Sequence, residues 1–282
     1  MTGTDNLAET LFHLRRHATN IRAHALRMGA VQGQGYVGQA LGVADILAVA
    51  YCNALAYDPD NPHWEGRDRF LLSAGHYAIA LYAALIEAGI LPLEEIESYG
   101  ADGSRLPMSG MAHYTPGMEI TGGSLGQGLP IAVGMALALK RKASRCFVYN
   151  LMSDGELDEG ATWEAAMSGP HFRLDNLVAL IDCNGIQADG PVVLDMEPVA
   201  EKWRAFGWET LEIDGNDMAA MVGALTLSRS RNGKPKAIVL RTSPGRGVPR
   251  IENSEKSHFF RVDPAEWDSI IAAFEKSVGE PA

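Results

Sequence analysis

The sequence predicts an α/β fold, a parallel sheet covered by helices on both faces, and three observations carry that expectation. Short apolar runs alternate along the chain with longer segments of helical periodicity. The runs are apolar throughout rather than at alternate positions, as expected of strands buried on both sides. Two of them end in turn dipeptides, Asp154-Gly155 and Asn184-Gly185. In such sheets ligands bind beyond the carboxyl ends of the strands.

Taken in order, residues 7–28 have helical periodicity, and 44–55 and 77–88 read as buried helices. Residues 125–142 form a long Ala/Leu/Gly-rich helix after a Gly-Gly turn. An apolar strand over 146–152 runs into Ser153-Asp154-Gly155, and helix 159–168 follows. A second apolar strand, 177–182, ends at Asn184-Gly185. Strands over 208–213 and 237–240 flank a helix over 218–228. With no repeat, low-complexity tract or linker in view, one domain over residues 1–282 is expected.

Composition narrows the function classes. Hydrophobic residues make up 46% and charged residues 21% of the chain, ordinary for a globular enzyme. The net charge of −11 and pI near 5.2 disfavour binding to nucleic acid, and the short clusters Arg15-Arg16 and Lys140-Arg141-Lys142 make no basic patch. No run is expected to reach the roughly 20 apolar residues of a membrane span. The N-terminal stretch is amphipathic without the apolar run of a signal peptide. Cys52, Cys146 and Cys183 have no metal-ligand spacing and sit in apolar stretches, which suits reduced thiols in a cytoplasmic protein.

Asp154 and Asn184 lie 184 − 154 = 30 residues apart, each just past an apolar strand, with one helix between them. If the strands are neighbours, about 4.8 Å apart, their oxygens can face one cation. Mg²⁺ favours oxygen ligands, typically one or two carboxylates plus phosphate oxygens. Gly155 would let backbone approach a phosphate closely, and the following helix would aim its N-terminus at that charge. Asp-Gly and Asn-Gly are also common turn dipeptides, and spacing alone does not decide between the two readings.

Five ordered stretches resemble the cofactor-diphosphate domain of transketolases: residues 42–85, 115–140 (TPGMEITGGSLGQG onward), 153–167 (SDGELDEGATWEAAM), 174–190 and 203–215. The resemblance runs from about residue 10 to 262. It implies thiamine diphosphate as cofactor with Mg²⁺ (or Ca²⁺ or Mn²⁺) held by Asp154, Asn184 and the carbonyl of Ile186, with Gly155 at the diphosphate. His76 and His258 match histidines near the diphosphate and substrate, and Gly123 and Leu125 match residues lining the cofactor rings. Glu159 and Glu164 match glutamates that couple paired active sites across the subunit interface. Without the resemblance, they would read as carboxylates favourable to a helix N-terminus. His13, His17, His24, His63 and His171 are left as structural histidines.

In the family, the activating glutamate and the substrate's phosphate-binding groups come largely from a pyrimidine-binding domain that these residues do not contain. A split enzyme is therefore expected, with a separate pyrimidine-domain subunit in an α2β2 assembly, acting on sugars or sugar phosphates by two-carbon ketol transfer. Two departures bear on the donor. The family's Gly-His-x-Gly reads Gly35-Tyr36-Val37-Gly38 here, and its Gly-His-Pro aligns with Ser109-Gly110, with His113 four residues on. Tyr36 and Ser109 can hydrogen-bond, but neither is a near-neutral base, so a non-standard donor is expected. Two rivals stay open: the α subunit of a 2-oxo-acid dehydrogenase, and a relative that has lost its chemistry.

Overall fold

The computed structural model describes residues 3–188, 190–252, 254 and 256–279. The chain opens with helix α1 (Gly3–Gln32), a two-residue strand β1 (Gln34–Gly35) and helix α2 (Val37–Val49), whose last turn widens over Ala50–Ala54. Strand β2 (Arg69–Leu72) leads into a single turn, Gly75–Tyr77, and helix α3 (Ala78–Glu87). Helix α4 (Gly128–Arg141), strand β3 (Val148–Ser153), the turn Asp154–Asp158, helix α5 (Gly160–His171) and strand β4 (Leu177–Cys183) follow. Then come short strands β5 (Ile186–Gln187) and β6 (Gly190–Pro191), helix α6 (Val199–Ala205) and strand β7 (Glu209–Asp214). The last elements are helix α7 (Met218–Ser228), strands β8 (Lys236–Arg241) and β9 (Phe260–Arg261), and helix α8 (Pro264–Gly279).

Among the described residues, β2-β3-β4-β8-β7 form a five-stranded sheet in that order, every pair parallel. Because successive side chains on a strand point to opposite faces, the apolar runs feed two cores. Phe70, Leu72, Tyr149, Leu151, Val178, Leu180, Ile238 and Leu240 join the core under α1, α2, α3 and α7. Leu71, Val148, Met152, Leu177, Ala179, Ile181, Ala237 and Val239 join the other, under α4, α5 and α6. Both faces are covered, so the strands have no polar side to alternate with. Edge strand β7 carries exposed charge, at Glu209, Glu212 and Asp214.

Three expectations are corrected in detail. The helix expected over 44–55 begins at Val37, since Gly38 and Gly42 are packing contacts inside α2 rather than breakers. A Cβ on Gly38 would fall 2.1 Å from the Ser257 carbonyl oxygen. The helix expected from 125 begins at Gly128, which leaves Leu125 in the preceding turn. One stretch, Val37–Ala54, does have membrane-spanning length and apolarity at 18 residues and mean hydropathy 1.3. It is 83% buried within the protein, where α1, α3 and α7 pack around it.

Candidate functional site

Strands β3 and β4 are paired so that Ser153 lies opposite Asp182, which places the two turns side by side at the carboxyl end of the sheet. Asp154 joins them: its Oδ1 accepts from the Gly155 amide at 2.9 Å and its Oδ2 from the Gly185 amide at 2.7 Å. Asn184 Oδ1 accepts from the Ile186 amide at 3.0 Å. Its Nδ2 donates to Asp182 Oδ2 at 2.7 Å and to the Tyr77 hydroxyl oxygen at 2.8 Å. Behind them Asp182 is fully buried and also accepts from Tyr77 at 2.9 Å and Thr242 at 2.5 Å. A cavity of about 240 Å³ opens here, lined by Asp154, Cys183, Asn184, Gly185, Val199 and Arg241 among others. The Arg241 guanidinium is held by Glu197 and Glu212.

The electrostatics of this pocket are set by buried carboxyl groups. Burial first, and then the charge of Asp182, push the Asp154 carboxyl from its usual range up to about 7, against hydrogen bonds from Gly185, Gly155 and Asn184 that lower it. Burial also raises Asp182. Among the described residues, neither carboxylate has a Lys, Arg or His partner within 4 Å, so a bound cation would relieve both. The donors lining the cavity include hard oxygens, the Asp154 carboxylate and the Asn184 carboxamide, which would suit Mg²⁺, Ca²⁺ or Mn²⁺ completed by phosphate oxygens; Ile186 meets the site through its amide on Asn184 Oδ1. No cluster of three or more His, Cys, Asp or Glu side chains is poised for a metal among the described residues.

A second group forms around the turn after β2. Gly75 and Gly122 are stacked so closely that a Cβ on Gly75 would lie 2.3 Å from the Gly122 carbonyl carbon. The Gly110 amide donates to Gly75 at 3.1 Å, and the Gly122 amide to Gly110 at 3.1 Å. Three loops are thereby layered, bringing His76, Ser109 and Gly123 together, and Ser109 Oγ lies 3.7 Å from where a Cβ on Gly123 would sit. The Tyr36 ring sits edge-on to His76 at 4.9 Å, His258 at 5.3 Å and Phe259 at 5.0 Å between centroids. The two histidines are 5.4 Å apart, and Gln39 Nε2 lies 2.6 Å from His258 Nδ1. Burial first, then neighbouring His258, lower His76 to about 4, so it is neutral at ordinary pH.

Of the other residues singled out in the sequence, Glu159 and Glu164 are exposed on α5 and the turn before it. Leu125 is half-buried in the turn before α4. His113 is exposed, and its ring meets Tyr114 at 5.2 Å. His17 and His24 surround Glu87 on α1 and α3, 2.7 and 3.4 Å from its oxygens.

Sequence reasoning missed Asp182, Tyr77, Thr242, Gln39 and Glu156. For Glu156 a signal existed: Ser153-x-x-Glu156 is a capping-box pattern, and the box is formed.

A five-stranded parallel sheet with a hard-oxygen pocket at its carboxyl end defines a cofactor-diphosphate-binding α/β domain. A family model described as the transketolase thiamine diphosphate binding domain matches residues 14–274. The chain belongs to the transketolase family. It is 63% identical over 268 residues to a transketolase family protein of Sinorhizobium fredii, covering 94% of this chain and 96% of that one. To the 6-deoxy-6-sulfo-D-fructose transketolase subunit SqwG of a Clostridium species it is 39% identical over 272 residues, covering 96% and 99%. Among solved structures, the transketolase of Campylobacter jejuni superposes with a TM-score of 0.87 at 32% identity. That match covers 94% of this chain and 42% of the solved one. The chain thus spans about four tenths of that solved transketolase chain and nearly the full length of the two curated relatives.

Proposed function

We propose that this chain is the thiamine-diphosphate-binding subunit of a two-chain transketolase-type enzyme, which moves a two-carbon ketol unit from a ketose or ketose phosphate to an aldose. The observation that carries the reading is the closure of Asp154 onto Gly185, which makes one hard-oxygen pocket of the β3 and β4 ends. In support, relatives of nearly the same length are named as transketolase subunits. They are SqwG and an apulose-4-phosphate transketolase subunit of Actinobacillus succinogenes, the latter 39% identical over 226 residues.

In this reading Asp154, Asn184 and the Ile186 carbonyl hold Mg²⁺ against the diphosphate, with Gly155 beside it. Gly123 and Leu125 line the cofactor rings, and His76 and His258 hydrogen-bond at the diphosphate and substrate. Bound thiamine diphosphate supplies the chemistry that breaks and remakes the C–C bond. The chain's own task is to grip the anion, orient the substrate's oxygens and keep water out. His76, neutral at pH 7, is a hydrogen-bonding group here rather than a charge. Glu159 and Glu164, exposed beside the cofactor loops, face a pyrimidine-domain chain in an α2β2 assembly. A cytoplasmic location belongs to the same proposal, supported by three free thiols.

Tyr36 stands where the family has a donor-binding histidine and fills space among His76, His258 and Phe259. With Ser109 and His113 it reshapes the donor side, so xylulose 5-phosphate is a poor donor. A ketose with a differently placed oxygen, or with another anionic end, is a better one. The test of the two-chain reading is turnover: the purified chain alone is inactive and gains activity when the pyrimidine-domain chain is added. Robust turnover by the chain alone would refute it.

A further inference from the structure

Glu156 is fully buried, burial pushes its carboxyl above the usual range, and it has no cationic partner among the described residues. What surrounds it is a set of neutral donors drawn from three different loops. Its Oε1 accepts from Ser73 Oγ at 2.5 Å and from the Gly126 amide at 2.9 Å; its Oε2 accepts from the Ser153 amide at 3.0 Å. Ser73 Oγ in turn accepts from the Gly128 amide at 3.1 Å, at the first turn of α4. Ser73 lies at the end of β2, three residues before His76. Gly126 follows Gly123 and Leu125, and Ser153 precedes Asp154. One buried side chain therefore ties together the segments that carry the histidine, the ring-lining loop and the metal carboxylate.

We propose that Glu156 is a positioning residue whose buried carboxylate locks three cofactor-binding loops into one cradle. The inference rests on the cofactor assignment made above. Each contact needs an acceptor, and a carboxylate offers acceptors on both oxygens. A glutamine of the same shape does not: whichever way its amide turns, an NH₂ faces either the Ser153 N–H or the Gly126 and Ser73 donors. The helix α4 N-terminus, with amides at Gly126 and Gly128 satisfied directly or through Ser73, also favours a negative charge at this spot. The hydrogen-bond partners of the Glu156 side chain among the described residues are Ser73, Gly126 and Ser153, so its effect runs through the segments it joins.

The experiment uses the assembled two-chain enzyme with thiamine diphosphate at saturating Mg²⁺, comparing wild type with Glu156→Gln and Ser73→Ala. Three quantities are read: cofactor dissociation constant by tryptophan quenching, kcat at saturating cofactor, and amide exchange across residues 124–128. Glu156→Gln is expected to raise the dissociation constant roughly 10- to 100-fold, as for other residues that orient a binding shell from behind. Its kcat at saturating cofactor stays within about twofold, because no group that meets the substrate is changed, and exchange at 126 and 128 accelerates. Ser73→Ala, which removes one donor and leaves the charge, shifts the same quantities less and keeps the inference testable if Glu156→Gln does not fold. Unchanged cofactor affinity in both variants, with wild type binding normally, would overturn the inference while leaving the cofactor assignment standing. Failure of wild type to bind the cofactor would overturn both. A fall in kcat with unchanged affinity would also overturn it, since a lock on the cradle acts on binding.

Discussion

Two regions at the same end of the sheet are built by different means. The Asp154–Asn184 pocket is held by backbone amides and buried side chains, and each of its polar groups has a partner in place. The region around Tyr36 is held by ring edges, by stacked glycine loops with hydrogen bonds between their backbones, and by the contact of Gln39 with His258. In the proposed reading the first region carries the cofactor's ligands, and the second, at Tyr36 and Ser109, is where the donor is read. A cofactor shared by a family fixes its own ligands, whereas a surface read mainly by shape can change with the substrate.

The sharpest break between the two regions is electrostatic. In the proposed reading Asp154→Ala removes the charged ligand of the cation opposite a multiply anionic diphosphate, and affinity for thiamine diphosphate with Mg²⁺ should fall by roughly 100-fold or more. Asn184→Ala removes a neutral oxygen and should cost about tenfold. Calorimetric titration of the assembled complex separates the two, and equal losses would deny Asp154 its special role.

The donor side should respond differently. Tyr36→His with Ser109→His restores two imidazoles and should move the kcat/KM ratio toward xylulose 5-phosphate, over the enzyme's own best donor, by roughly tenfold. The cofactor affinity should stay within about twofold. A ratio of donors cancels any general loss of folding or cofactor occupancy. If xylulose 5-phosphate is already the best donor of the natural enzyme, the specificity argument from Tyr36 and Ser109 is wrong.

The smallest effect expected is one of pH. With its folded-state value down at about 4 against an ordinary 6.5, His76 binds a proton more weakly folded than unfolded. The neutral ring's contribution to stability is complete above pH 6.5 and is lost as pH falls from there through 4. The imidazole resonances of His76 should show no titration between about pH 5.5 and 8, and His76→Gln should flatten the acid side of the stability curve. A His76 titration midpoint near 6.5, its ordinary value, would contradict the burial that places it.

The sheet and its two chemical turns were legible because β3 and β4 are wholly buried, mostly apolar and run straight into Asp154 and Asn184. Strand β2 was not: four residues, Arg69–Leu72, run straight into the glycine turn before α3, and the periodicity of the helix swamps them. Helix α8 carried signals that went unused, with Pro264 at its first position and Trp267, Ile270 and Phe274 along one buried stripe. The start of α2 was hidden for a physical reason. Gly38 and Gly42 are weak helix formers in isolation, and here they let Ser257 and Ser243 backbone lie against the helix. The chemical turns could be seen one residue at a time, but Asp182, Tyr77 and Glu156 act by reaching other elements, and that reach depends on how the strands are ordered.

Whether the pocket at the β3 and β4 ends grips a diphosphate through a cation is measured by calorimetric titration of the assembled wild-type enzyme with thiamine diphosphate, run once with Mg²⁺ and once after chelation. Saturable binding with Mg²⁺ and its loss in chelator is the predicted result; equal affinity in the two titrations would contradict the assignment of Asp154, Asn184 and Ile186.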